Sequence, residues 1–179
     1  MELRLAHPNE VSAIMAIIEE ARQFLKASGS DQWQGAYPTV DDIMEDVIKG
    51  QAWVGLIDNQ LVAYAAVIVG REEAYEAITD GRWKHANPKY TVFHRIAVAK
   101  KASGQKVAQT FLQGLIEGHA GPDFRCDTHP KNVIMQHILE KLGYQYCGKV
   151  IVEGERLAYQ KIKSKSEVAD YREVDESLR

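Results

Sequence analysis

The sequence predicts an α/β domain in which one mixed, mostly antiparallel sheet is flanked by helices. Three observations lead there. Segments of strand-like and helix-like periodicity follow one another as β-α-α-β-β-β-α-β-α-β-β. Short polar turns, Asp58-Asn59-Gln60 and Glu153-Gly154-Glu155, join neighbouring apolar runs as hairpins do. A chain of 179 residues, 45% hydrophobic and 26% charged, is long enough for one sizeable core and has an ordinary globular composition.

Glu2–Ala6 alternates like a strand. From Asn9 to Lys26, Val11, Ile14, Met15, Ile18, Ala21, Phe24 and Leu25 keep the spacing of an amphipathic helix, with Asn9 as cap and Ser28-Gly29 as stop. A polar loop, Ser28–Pro38, carries Trp33 and Tyr37. Thr39 or Asp41 can cap a second helix built on Ile43, Met44, Val47 and Ile48 and ended by Gly50. Ala52–Ile57 and Leu61–Val69 form the first hairpin. Gly70–Lys89 is polar and irregular, with one helical turn around Glu72–Ile78. Then come a strand at Tyr90–Val98, a helix at Gly104–Gly118, a short strand at Phe124–Asp127 and a helix at Lys131–Leu142 stopped by Gly143. Tyr144–Val152 and Arg156–Ile162 make the last hairpin. The domain is therefore expected to span residues 1–162, with 163–179 a charged C-terminal tail.

Charge excludes several function classes. A net charge of −3 creates no basic field that would draw the chain to nucleic acid or a membrane surface. The opening MELRLAHPNE has charges at Glu2 and Arg4 and no apolar centre, unlike a signal peptide, and no apolar run reaches the roughly 18 residues of a membrane helix. Cys126 and Cys147 make no disulfide framework, so a reducing cytoplasm is expected. Cys126-x-x-His129 lacks a second ligand pair, so no metal site is expected.

The segment IAVAKKASGQKVAQTFL, Ile96–Leu112, holds the first chemistry. A strand that feeds a tight loop and then a helix turns several backbone N–H groups the same way, toward an anion such as diphosphate. Lys100, Lys101 and Lys106 add charge around that turn. The competing account is a plain turn with solvated lysines. No G-x-x-x-x-G-K-[ST] and no G-x-G-x-x-G after the first strand is present, so neither a P-loop nor a dinucleotide fold has support.

HRIAVAKKASGQKVAQTFL resembles the core strand, pyrophosphate loop and helix of the GCN5-related N-acetyltransferase (GNAT) superfamily, where the loop reads Arg/Gln-x-x-Gly-x-Gly/Ala. DTHPKNVIMQHILEKLGYQYCG resembles the superfamily's next strand and helix with its Leu-Gly-Tyr ending. The likeness extends over Glu2–Ile162 in element order and implies the GNAT acyltransferase fold with acetyl-CoA as cosubstrate. It places Ile96, Ala97 and Val98 beside the pantetheine arm, the last two amides polarising the acetyl carbonyl. Lys100, Lys101, Ser103, Gly104, Gln105, Lys106, Val107 and Ala108 become the diphosphate cradle, and Asn132 a partner of pantetheine. Ser103 stands where the superfamily has Arg or Gln, and Lys106 where it has the middle glycine; Lys106 is then expected to offer a helical backbone to phosphate.

Acetylation of an amine needs a base for its proton. Alternation along Tyr90–Val98 puts Val92, His94, Ile96 and Val98 on one face, so His94 is the candidate base, against the alternative of a histidine bonded within the sheet. Tyr37, Tyr90 and Glu72 are weaker candidates, and His137 could approach the thiol. The superfamily's tyrosine acid falls at Leu139 here. Trp33, Tyr37 and Trp83 are candidate walls for the amine acceptor. The sequence thus points to an acetyl-CoA-dependent N-acetyltransferase of a small-molecule or protein amine. An acyl-CoA-binding module without turnover is the alternative, and a structural α/β domain without coenzyme a third. The terminal hairpin offers an edge for a homodimer.

Overall fold

The computed structural model describes residues 1–104 and 106–164. Gln105 and most of the expected charged tail lie outside the described residues. The strands are β1 (Glu2–Leu5), β2 (Ala52–Ile57), β3 (Gln60–Gly70), β4 (Tyr90–Val98), β5 (Asp123–Thr128), β6 (Gln145–Ile151) and β7 (Glu155–Ile162). The helices are α1 (Val11–Ala27), α2 (Val40–Ile48), α3 (Val107–Gly118) and α4 (Val133–Lys141). The strands form one sheet in the order β1-β2-β3-β4-β5-β7-β6, antiparallel everywhere except between β4 and β5. This is the mixed α/β architecture expected from the sequence.

Local chemistry explains most element ends. At the head of α2, Thr39 Oγ1 accepts from the Asp42 amide at 3.2 Å, while Asp42 Oδ2 accepts from the Thr39 amide at 2.6 Å, a reciprocal cap. Before α1, the Glu10 carboxylate accepts from the His7 amide and holds Arg4 through two bonds of 2.9 and 2.8 Å. The β2–β3 turn is tighter than expected: Asp58 and Asn59 both take positive φ, 50° and 59°, and β3 already begins at Gln60. Two left-handed central residues match the twist of the flanking strands.

Helices cover both faces. Gly55 meets Phe111 of α3, and a Cβ on Gly55 would lie 2.9 Å from the Phe111 ring. On the opposite face, Asp46 of α2 accepts from the Tyr64 hydroxyl at 2.5 Å. Beyond β5 that second face is roofed by the β3–β4 insertion, whose buried Tyr75 packs with Tyr90, Val92, Val150 and Ala158. Backbone bonds between Thr79 and Lys149, 2.8 Å in each direction, tie the insertion to β6. The crossing needs glycine: a Cβ on Gly81 would lie 2.1 Å from the Cys147 carbonyl oxygen.

Two features of β4 shape the site. Tyr64 pairs with Ala97 and Ala66 with His94, so β4 carries one extra residue there, at Arg95-Ile96, and Arg95 has φ 53°. The bulge breaks the expected alternation: Ala97 shares the His94 face, and Val98 falls on the face of Phe93. Moreover, β5 pairs only with Thr91, Val92 and Phe93, so no strand adjoins Ile96–Val98 on that side.

Candidate active site

The opening between β4 and β5 is a groove of about 570 Å³. Ile96, Ala97 and Val98 form its strand wall. Lys100, Ser103, Gly104, Lys106, Val107 and Ala108 form its loop end, and Asn132 stands on the α4 side. Lys101 does not join them: its Nζ lies 2.5 Å from Gln60 Oε1 at the β2–β3 turn. Among the described residues the groove's cations are Lys100, Lys106 and Lys141, the last of which sequence reasoning missed.

Backbone conformation makes the loop end suitable for an anion. Gly104 has φ 80° and Lys106 has φ 58°, ψ 17°. Lys106 is therefore left-handed rather than right-handed helical, which accounts for the glycine written at this place in the family pattern. It is the N-cap of α3, and no side chain caps that end. The first-turn amides of a twelve-residue helix thus face the groove with the positive end of its dipole behind them. Asn132 caps α4, its Oδ1 accepting from the Met135 amide at 3.2 Å, which leaves the Nδ2 donors unneeded for the cap.

A smaller cavity of about 50 Å³ adjoins the groove and shares Gln32, Trp33, Ile96, Asn132 and Met135 with it. His94 lines this second cavity with Tyr37, Arg95, Asp127, Glu153 and Arg156. His94 Nε2 lies 3.2 Å from Glu72 Oε2, and its Nδ1 lies 3.6 Å from Asp127 Oδ1. The bond from His94 holds the Glu72 carboxyl below its ordinary range. Asp127 Oδ1 also accepts from the Tyr75 hydroxyl at 2.6 Å; burial pushes that phenol far up, so it stays a donor. A histidine between two carboxylates, at the edge of a cavity that meets a coenzyme-sized groove, can take and pass a proton.

Arg95, at the bulge, lines the same cavity. Its guanidinium pairs with buried Asp46 at 2.9 and 2.5 Å and donates to the Tyr37 hydroxyl at 2.6 Å. Burial raises the Tyr37 phenol pKa despite Arg95, which argues against Tyr37 as a base. Tyr90, the other phenolic candidate, stacks under Arg125 at 3.6 Å and its hydroxyl accepts from the Glu72 amide.

Trp33 and Tyr37 line the small cavity; Trp83 does not. Its indole lies 4.4 Å from the Arg125 guanidinium and donates to the Tyr75 carbonyl, so it holds the roof rather than a substrate wall. His137 lines the groove and Leu139 is buried in the core. Cys126 is buried in β5, and among the described residues no group of three or more His, Cys, Asp or Glu is placed to hold a metal. No described helix is long and apolar enough to cross a membrane.

The chain resembles solved structures over nine-tenths or more of its length. An acetyltransferase of the GNAT family from Streptococcus agalactiae is 61% identical over 92% of this chain and 96% of its own, with a TM-score of 0.90. A GNAT-family acetyltransferase from Listeria monocytogenes is 22% identical over 90% and 94%, with a TM-score of 0.69. An aminoglycoside acetyltransferase, solved with coenzyme A and kanamycin, is 16% identical over 95% and 98%, with a TM-score of 0.65. No protein-family model and no curated relative matches the chain.

Proposed function

Because the chain belongs to the GNAT family of acetyltransferases, we propose that it transfers the acetyl group of acetyl-CoA directly to a primary amine. The observation that carries this reading is the meeting of two cavities, one with an anion-binding loop and one with His94, at Ile96, Trp33 and Asn132.

Acetyl-CoA supplies an acyl group activated as a thioester. The α3 amides with Lys100 and Lys106 hold the diphosphate, and Asn132 Nδ2 bonds the pantetheine arm. The backbone of Ile96–Val98 lies along that arm, its amides polarising the acetyl carbonyl. His94 takes the proton of the attacking amine, and the imidazolium so formed finds a carboxylate at each nitrogen, Glu72 and Asp127. A thiolate leaves without an acid, so the apolar Leu139 is no obstacle. Two free, buried cysteines suit a reducing compartment, the cytoplasm.

The test joins a thermal shift with acetyl-CoA to thiol release against a panel of amines. A shift and amine-dependent release are expected. A shift without release for any amine overturns the transferase reading, and no shift at saturation overturns the coenzyme site.

A further inference from the structure

Of the arginines around the site, half-buried Arg95 is paired with Asp46. Arg125 is paired with Asp123 and lies against Trp83 and Tyr90. Arg156 differs. It is 5% exposed and lines the small cavity, yet among the described residues its side chain makes one hydrogen bond, from Nη1 to the Glu155 carbonyl at 3.2 Å. Among the described residues no carboxylate oxygen lies within 4.0 Å of its guanidinium, although its charge reaches the Glu153 carboxyl and pulls it down against the larger upward push of burial. A buried guanidinium with no carboxylate bonded to it is costly unless an anion satisfies its fork of donors.

The register shows where that anion would sit. Asp127 pairs with Ala158 and Thr128 with Leu157, so β5 ends just before the level of Arg156. Arg156 shares the face of Ala158, hence of Asp127 and His94, and lies toward the end of the sheet where β4 runs into Ile96. Two strand spacings separate β4 from β7, about 10 Å, and two residues beyond Ala158 add about 7 Å along the strand. Both side chains line one cavity, and this separation leaves room for a compact molecule between them.

We propose that the amine acceptor carries a carboxylate, which Arg156 binds while His94 faces the amine; this rests on the transferase reading above. A carboxylate fits better than a phosphate. Asp127 and Glu153 line the same cavity, and their charge repels a dianion more than a monoanion. The acceptor class is therefore a small amino acid or an amine-bearing fragment of one, rather than a simple alkylamine or a polycation.

The test compares α-, β- and γ-amino acids with their carboxamides, with the matching alkylamines and with O-phosphoethanolamine. At least one amino acid is expected to exceed its carboxamide in kcat/KM by about 10- to 100-fold, the loss expected when a charge-assisted bidentate pair is removed. In Arg156→Gln that ratio falls to near one, whereas the acetyl-CoA thermal shift is unchanged. Arg156→Lys, which keeps the charge without the fork, restores part of it and serves if the Gln variant fails to fold. No preference in the wild type, a preference that survives Arg156→Gln, or faster phosphoethanolamine overturns the proposal. Should no amine be turned over, binding of N-acetylglycine and N-methylacetamide to the CoA complex still decides it. Tighter N-acetylglycine binding that is lost in Arg156→Gln supports the Arg156 site even as the transferase reading fails. Equal binding overturns the site while leaving the coenzyme result intact.

Discussion

Lys106 holds a backbone conformation that costs a side-chain-bearing residue about 1 kcal/mol, and it does so at the loop end of the groove proposed for coenzyme. Lys106→Gly relieves that cost but enlarges the entropy of the unfolded chain by a comparable amount. Its melting temperature is expected within about 2 °C of the parent's, with the acetyl-CoA shift retained. Lys106→Val adds β-branching to a left-handed position; thermal melts should show a loss of about 1–2 kcal/mol together with a weaker acetyl-CoA shift. A second residue-scale prediction concerns His94. Its replacement by Ala should lower kcat about 10²- to 10⁴-fold and remove the rise of rate with pH that deprotonation of a base produces. A retained rise would take His94 out of the reaction. Neither residue's role was fully legible in the sequence. The loop pattern marked position 106 as a glycine site, but its handedness depends on how the loop lands on α3. His94 was legible as a strand residue, whereas Glu72 and Asp127 reach it from 22 positions upstream and 33 downstream in the chain.

At the scale of elements, α2 is joined to the β4 bulge by Asp46, which is 3% exposed and accepts from both Tyr64 and Arg95. Asp46→Ala leaves the Arg95 guanidinium buried without its counter-ion. Urea unfolding should show a loss of about 3–5 kcal/mol. The helix itself was legible, because its Thr39 cap and apolar spacing are local. The bulge was not, since no local residue pattern marks it and the partner that Arg95 meets there is a carboxylate 49 residues away. That one inserted residue is why alternation placed Val98 on the wrong face and why Ala97 turns up beside His94. The same locality explains the hairpins, whose turn residues stand next to the strands they join. A second tie, Glu10 with Arg4, lowers the Glu10 carboxyl from 4.5 to about 2. A depressed carboxyl stabilises the fold above its unfolded titration range and loses that contribution as pH falls toward its folded value. Glu10→Gln should therefore lower the melting temperature at neutral pH and lessen its decline between about pH 4.5 and 2.

Seen as a whole, the molecule is two antiparallel half-sheets, β1 to β4 and β5 to β7, joined by a parallel ladder of three residue pairs. The groove exists because the halves part beyond Phe93. Thermal melts should rise with acetyl-CoA concentration without a plateau well above its dissociation constant, as mass action requires. The partition of the sheet has a consequence for how long the protein lasts. Ladder bonds are few where the halves meet, and a coenzyme lying against both would add contacts across that line. Opening of the seam, and with it cleavage by proteases that act on opened forms, would then slow as the coenzyme is supplied. The survival of the chain in a cell would thus follow the abundance of its own cosubstrate.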